Sequence, residues 1–171
     1  MRTEVLFQAP DGMKSNGIWM LPLKGDLQPV PILRTQFQEI DARLSPDGRL
    51  LTYTSNQNSR QEVWVRPFNA ASPQSDAAGV LISGASGGRG PRWRKDGREI
   101  VYLGGDGRFW SVEFSPGPPI QPGPATPLPV SPGAPWDAAQ DLDRFLIAVP
   151  LMDSALTPIT VQLNWIPDGR R

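Results

Sequence analysis

One turn-and-strand pattern recurs along the chain. Ser45-Pro46-Asp47-Gly48-Arg49-Leu50-Leu51-Thr52-Tyr53 returns 49 residues later as Arg94-Lys95-Asp96-Gly97-Arg98-Glu99-Ile100-Val101-Tyr102. A decayed third copy reads Leu142-Asp143-Arg144-Phe145-Leu146-Ile147. Each copy is a tight turn feeding an apolar strand. In the first, Pro46 presets φ, Asp47 can bond its own backbone, and Gly48 takes the left-handed position. A period in the forties marks stacked β-sheet units, each burying its faces on its neighbours.

Reading outward from the turns gives the strands. The apolar runs are short, rich in Val, Ile, Phe, Tyr and Trp, and bounded by Gly, Pro, Asp or Asn. The first full unit has strands at Ala42–Ser45, Leu50–Ser55, Glu62–Phe68 and Gly79–Ser83. The second has Gly90–Arg94, Glu99–Leu103 and Arg108–Phe114, with Thr126–Val130 as a fourth strand that Pro127 and Pro129 confine to an outer edge. Ahead of them, Glu4–Gln8, Gly17–Leu23 and Val30–Leu33 form an incomplete unit; behind them, Ala134–Ala138, Arg144–Val149 and Ile159–Trp165 form another. The expected fold is therefore all-β: a partial β-propeller of consecutive four-stranded antiparallel blades, two complete and two partial. We read 1–171 as a single propeller fragment, with blades at about 1–35, 41–84, 90–131 and 134–166.

Tryptophans support this register. Trp19, Trp64 and Trp110 each fall in a third strand, and Trp93 and Trp136 in first strands, where Leu44 holds the matching place. These positions, with Asp47, Gly48, Asp96 and Gly97, are read as structural: the tryptophans as packing between blades, the Asp-Gly pairs as turns.

Composition narrows the function. Lys+Arg and Asp+Glu both count 17, so charge gives no case for nucleic acid or an anionic membrane. No run of apolar residues is long enough for a membrane-spanning helix. Histidine and cysteine are absent, which removes the commonest general base, the commonest metal ligand and all thiol chemistry. We expect no catalytic residues, no cofactor and no metal.

Three motifs invite a catalytic or ligand reading. Gly84-Ala85-Ser86-Gly87-Gly88 fits the pattern of a hydrolase nucleophile elbow, but a strand entry follows it where a helix is required, and no histidine can serve Ser86. Gly104-Gly105-Asp106-Gly107 is short of acidic ligands for calcium and reads as a hairpin turn. Asp137, Asp141 and Asp143 cluster at the last turn and read as solvated carboxylates. The arginines of the inner strands, Arg43, Arg92 and Arg94, face a central channel in such a fold. There they either pair with Asp41 or a neighbouring aspartate, or receive an anionic peptide or carboxylate. The expected binding surface joins Arg43, Arg89 and Arg92 with the loops before the first strands, at 35–41, 84–90 and 131–134.

The repeats resemble the PD40 (WD40-like) repeats of TolB-type β-propellers. The carrying residues are Leu44 to Asn56 with Glu62-Val63-Trp64-Val65-Arg66-Pro67-Phe68. The wider sequence is similar to the C-terminal propeller half of bacterial eukaryotic-like serine/threonine protein kinases. This is carried by Gly17-Ile18-Trp19-Met20-Leu21-Pro22-Leu23-Lys24-Gly25-Asp26, by Pro91 to Leu103, and by Pro158 to Trp165. The last turn departs from the family pattern, because Gln140-Asp141-Leu142-Asp143-Arg144-Phe145 lacks its glycine. The resemblance implies a non-catalytic module that binds or senses a protein or peptide. In the parent protein it implies a periplasmic or extracytoplasmic location. Two other readings stay open: the propeller part of a prolyl-oligopeptidase-type serine hydrolase, and a TolB-like periplasmic scaffold. Open blade edges would also favour self-association.

Overall fold

A computed structural model describes residues 4–10, 15–74, 77–115, 119–129, 136–142 and 144–147. Among these residues every regular element is a strand. Strands β1 (Glu4–Pro10), β2 (Asn16–Pro22) and β3 (Val30–Leu33) form a three-stranded sheet in that order. The second sheet runs β4 (Glu39–Leu44), β5 (Leu50–Ser55), β6 (Glu62–Pro67) and β7 (Val80–Leu81). In the third, β8 (Gly88–Trp93), β9 (Glu99–Gly104), β10 (Phe109–Glu113) and β11 (Thr126–Pro127) follow the same order. Strands β12 (Trp136–Ala138) and β13 (Phe145–Ile147) make a two-stranded ladder. All pairings are antiparallel between sequence neighbours. The expected strand at Ile159–Trp165 and the loop 131–134 lie outside the described residues.

The turns after the first strands share one geometry. Ser45 N–H donates to the Leu50 carbonyl and Gly48 N–H to the Ser45 carbonyl, at 2.8 and 2.9 Å. Arg94 and Gly97 repeat this with Glu99 and Arg94, and Ala139 and Leu142 repeat it with Arg144 and Ala139. Gly48, Gly97 and Leu142 have φ of 74°, 72° and 60°. The glycine missing from the last turn therefore leaves its shape intact, with Leu142 carrying the left-handed strain. These turns also fix the register between sheets: Arg43, Arg92 and Asp137 are equivalent, as are Leu44, Trp93 and Ala138. Trp136 consequently stands level with Pro91 and not with Trp93. The spacing between successive turns shortens from 49 to 45 residues, and a count of residues alone missed that change.

Each third-strand tryptophan stands opposite an aromatic residue of its second strand. The pairs are Phe7 with Trp19, Tyr53 with Trp64, and Tyr102 with Trp110. All three tryptophans are half-buried. Trp64 packs on the cluster that joins the first two sheets: Ile18, Met20 and Ile32 against Leu44, Leu51, Tyr53 and Phe68. Trp110 packs on the cluster that joins the second and third: Val63, Val65 and Ile82 against Trp93, Ile100, Tyr102, Val112 and Phe114. At the next junction Phe109 meets Trp136 edge-on at 4.5 Å and Phe145 at 5.0 Å. The apolar core thus lies between sheets, as a stack of flat faces requires.

Both complete first strands carry a bulge with a residue at positive φ. In β4 the register slips between Ile40 and Arg43, at Asp41 (φ 57°); in β8 it slips between Arg89 and Arg92, at Gly90 (φ 65°). A bulge frees a backbone N–H from the ladder. Here each freed N–H bonds to the second strand of the preceding sheet: Asp41 to Gln8 Oε1 at 3.4 Å, and Gly90 to Thr54 Oγ1 at 3.2 Å.

Candidate functional site

Bulges and turns together aim the ends of three neighbouring first strands at one recess. It measures about 590 Å³ and is lined by Arg43, Arg92, Lys95, Asp137, Trp93 and Gln140, among others. Arg43, Arg92 and Asp137 occupy the same register position on β4, β8 and β12, so each sheet contributes one charged side chain to the same level.

The charges are unequally satisfied. Arg92 Nε donates to Asp137 Oδ1 at 2.9 Å, and its guanidinium lies 5.2 Å over the Trp136 ring. Its Nη1 also reaches the Pro91 carbonyl at 3.1 Å. Arg43 Nη1 donates only to the Ala42 carbonyl, at 2.9 Å, and no described carboxylate lies within ion-pair distance of it. Desolvation and then the positive charge of Arg92 hold the Arg43 pKa below its ordinary value, against the raising effect of Asp41 and Asp137. Burial works to raise the Asp137 pKa. The bond from Arg92, the Ala138 N–H and the charges of both arginines outweigh it, so the carboxyl sits below its ordinary range. Lys95 is exposed, and its side chain makes no bond among the described residues. Three cations therefore face one carboxylate.

Arg89 lies elsewhere. It is at the opposite end of β8, where it lines a separate hollow of about 300 Å³ with Arg60, Gln61, Ser86 and the turn Gly104-Gly105-Gly107. The single surface expected from Arg43, Arg89 and Arg92 is thus two surfaces, at the two ends of the first strands. The loops 35–41 and 84–90 belong to the Arg89 end. In that hollow Arg60 is held by the buried Glu62 at 2.8 Å and donates to the Ala85 carbonyl at 2.7 Å. Ser86 Oγ donates to the Gly87 carbonyl at 3.5 Å, and no base is bonded to it among the described residues. Arg94 heads the turn after β8 and is paired with Asp96 and Glu99, at 2.9 and 2.6 Å. Asp141 faces Arg144 at 3.9 Å; Asp143 lies outside the described residues. No group of three acidic residues suited to a metal occurs among the described residues.

Sequence reasoning placed Asp137 in an acidic cluster and missed its place beside Arg92. The signal was present: the three turns align the two residues once the third copy is given its shorter spacing.

Comparison with solved structures decides the architecture. TolB from Acinetobacter baumannii matches 88% of this chain and 36% of its own, with a TM-score of 0.59 and 15% identity. Its fold is that of a partial TolB-like β-propeller. Two other propellers align comparably. The β-propeller domain of the Trilobed protease from Pyrococcus furiosus matches 91% of this chain and 47% of its own, with a TM-score of 0.50 and 17% identity. Acylaminoacyl peptidase from Pyrococcus horikoshii matches 90% and 27%, with a TM-score of 0.52 and 16% identity. This propeller therefore spans between about a quarter and a half of the length of the solved chains it resembles. No protein-family model and no curated protein sequence matches it. Identities this low concern the fold alone. No described helix is long and apolar enough to cross a membrane.

Proposed function

We propose that the chain is a non-catalytic binding module that holds a protein or peptide segment at the ends of its first strands. The observation that carries this reading is the recess between β4, β8 and β12, where among the described residues three cations face one carboxylate and Arg43 has no acidic partner within ion-pair distance. A scaffold that spends three successive sheets on one charged level is suited to recognition. Nucleophilic catalysis needs a base beside the nucleophile, and among the described residues Ser86 Oγ meets only the Gly87 carbonyl. The sequence resemblance to kinase-linked propellers supports a sensing role in a larger protein.

The test has two arms. A random peptide library displayed against the purified chain should enrich a common class of sequence, and a selected peptide should bind stoichiometrically in a calorimeter. Ester hydrolysis, peptide hydrolysis and ATP turnover should all stay at background. Turnover abolished by Ser86→Ala would replace this reading with a catalytic one.

A second reading, the propeller part of a peptidase, is favoured by the similarity to the propellers of the Pyrococcus furiosus protease and the Pyrococcus horikoshii peptidase. A hydrolase segment in the same reading frame would establish it; a kinase segment would exclude it.

A further inference from the structure

We infer that the recess recognises acidic side chains: its occupant is a peptide segment bearing Asp or Glu, whose carboxylate pairs with Arg43. This deepens the binding reading given above and rests on it. Arg43 lines the recess with its side chain open to solvent, and Arg92 stands beside it as a like charge. An accessible guanidinium with no described carboxylate within ion-pair distance can take up an anionic partner, because guanidinium–carboxylate pairs are charge-assisted and readily bidentate. Lys95 at the rim adds a second cation without a side-chain bond. Arg92 is already occupied by Asp137, whose side chain is 65% exposed. Where Arg92 has the acid Asp137 at the matching position of the next sheet, Arg43 has the cation Arg92, so the chain supplies Arg43 with no such acid from its neighbour. The Trp136 ring under the Arg92 guanidinium keeps that cation in position independently of Asp137.

The inference makes opposite demands on two residues of the same recess. An amidated peptide of alternating Asp and Gly, fluorescently labelled, is titrated at low salt and the anisotropy is read. The natural chain should bind it, and 0.5 M salt should weaken binding strongly. Arg43→Gln should weaken binding at least tenfold. Asp137→Asn should tighten it several-fold, because Arg92 then becomes available; a gain of affinity does not arise from a damaged fold. Arg108→Gln, at the hairpin on the far end of the sheet, should leave binding unchanged. A matched Asn-Gly peptide that binds equally well would overturn the inference, as would Arg43→Gln without effect or Asp137→Asn with weaker binding. A neutral peptide with a free C-terminal carboxylate that outcompetes the amidated acidic one would also overturn it, in favour of terminus recognition. If library peptides bind but acidic ones do not, this inference fails while the binding module stands. If no peptide of any class binds, both fail.

Discussion

The backbone N–H of Gly90 donates to Thr54 Oγ1 at 3.2 Å, from the bulge of one sheet to the second strand of the sheet before it. Asp41 and Gln8 repeat the bond one sheet earlier, at 3.4 Å. Because the bulge takes this N–H out of its own ladder, the neighbour's side chain must satisfy it. Thr54→Val keeps the shape of the side chain and removes the acceptor. It should cost about 1–2 kcal/mol, read as a lower midpoint in urea. Thr54→Ser, which retains the hydroxyl, should cost clearly less.

The three equivalent turns predict substitutions of opposite sign. Gly48 and Gly97 sit at positive φ, and a Cβ on Gly48 would meet nothing within 4 Å. The cost of Gly48→Ala is then conformational alone, on the order of 1 kcal/mol. Leu142 holds the same conformation at 60°. Leu142→Gly should raise the melting temperature, with Leu142→Ala showing no comparable gain. Equal melting temperatures for the natural chain and Leu142→Gly would mean that the third turn is relaxed some other way.

Packing at the start of β8 is tight. A Cβ on Gly88 would lie 2.4 and 2.6 Å from atoms of the Tyr102 ring, a contact that backbone or ring must yield to. Gly88→Ala should therefore cost about 1–3 kcal/mol. Tyr102 also accepts the Gly84 N–H through its hydroxyl, at 3.0 Å. Tyr102→Phe should cost about 1 kcal/mol through that lost acceptor. Hydrogen exchange at the Gly84 amide should accelerate in Tyr102→Phe more than in the rest of the sheet.

Acid should loosen the turns. The Ser45 hydroxyl, then the Arg49 N–H, hold Asp47 below its ordinary 3.8; Arg94 and the Arg98 N–H do the same for Asp96, and Trp110 and the Arg108 N–H for Asp106. A carboxyl with a depressed folded-state pKa contributes stability above its unfolded pKa and loses it as pH falls through the folded value. The melting temperature should thus be flat with respect to these groups above about pH 5 and should fall below about pH 4. The triple variant Asp47→Asn, Asp96→Asn, Asp106→Asn should melt lower at neutral pH and show a shallower acid decline.

Much of this fold is written locally. An Asp-Gly turn carries its own hydrogen bonds: Asp47 Oδ1 accepts the Arg49 N–H and Asp96 Oδ1 the Arg98 N–H, so the hairpins were readable residue by residue. Left-handed positions without glycine, Ser59 at 67° and Leu142 at 60°, carried no such sign. The outer strands were overestimated. Expected over five residues each, β7 and β11 keep two, although just beyond them Ile82 and Leu128 still donate to the Val63 and Phe109 carbonyls. The recess was half legible. Arg43 and Arg92 were visible as equivalent arginines, but Asp137 reaches Arg92 only through the stacking of the fourth sheet. No local pattern encodes a contact between residues so far apart in the chain.

Both anchors of Arg92, the indole beneath it and the carboxylate beside it, come from the fourth sheet. Were that sheet pulled away, the guanidinium would lose its shelf and its counter-charge in the same movement. The free charge that Arg92 offers to the recess therefore depends on that one sheet staying docked.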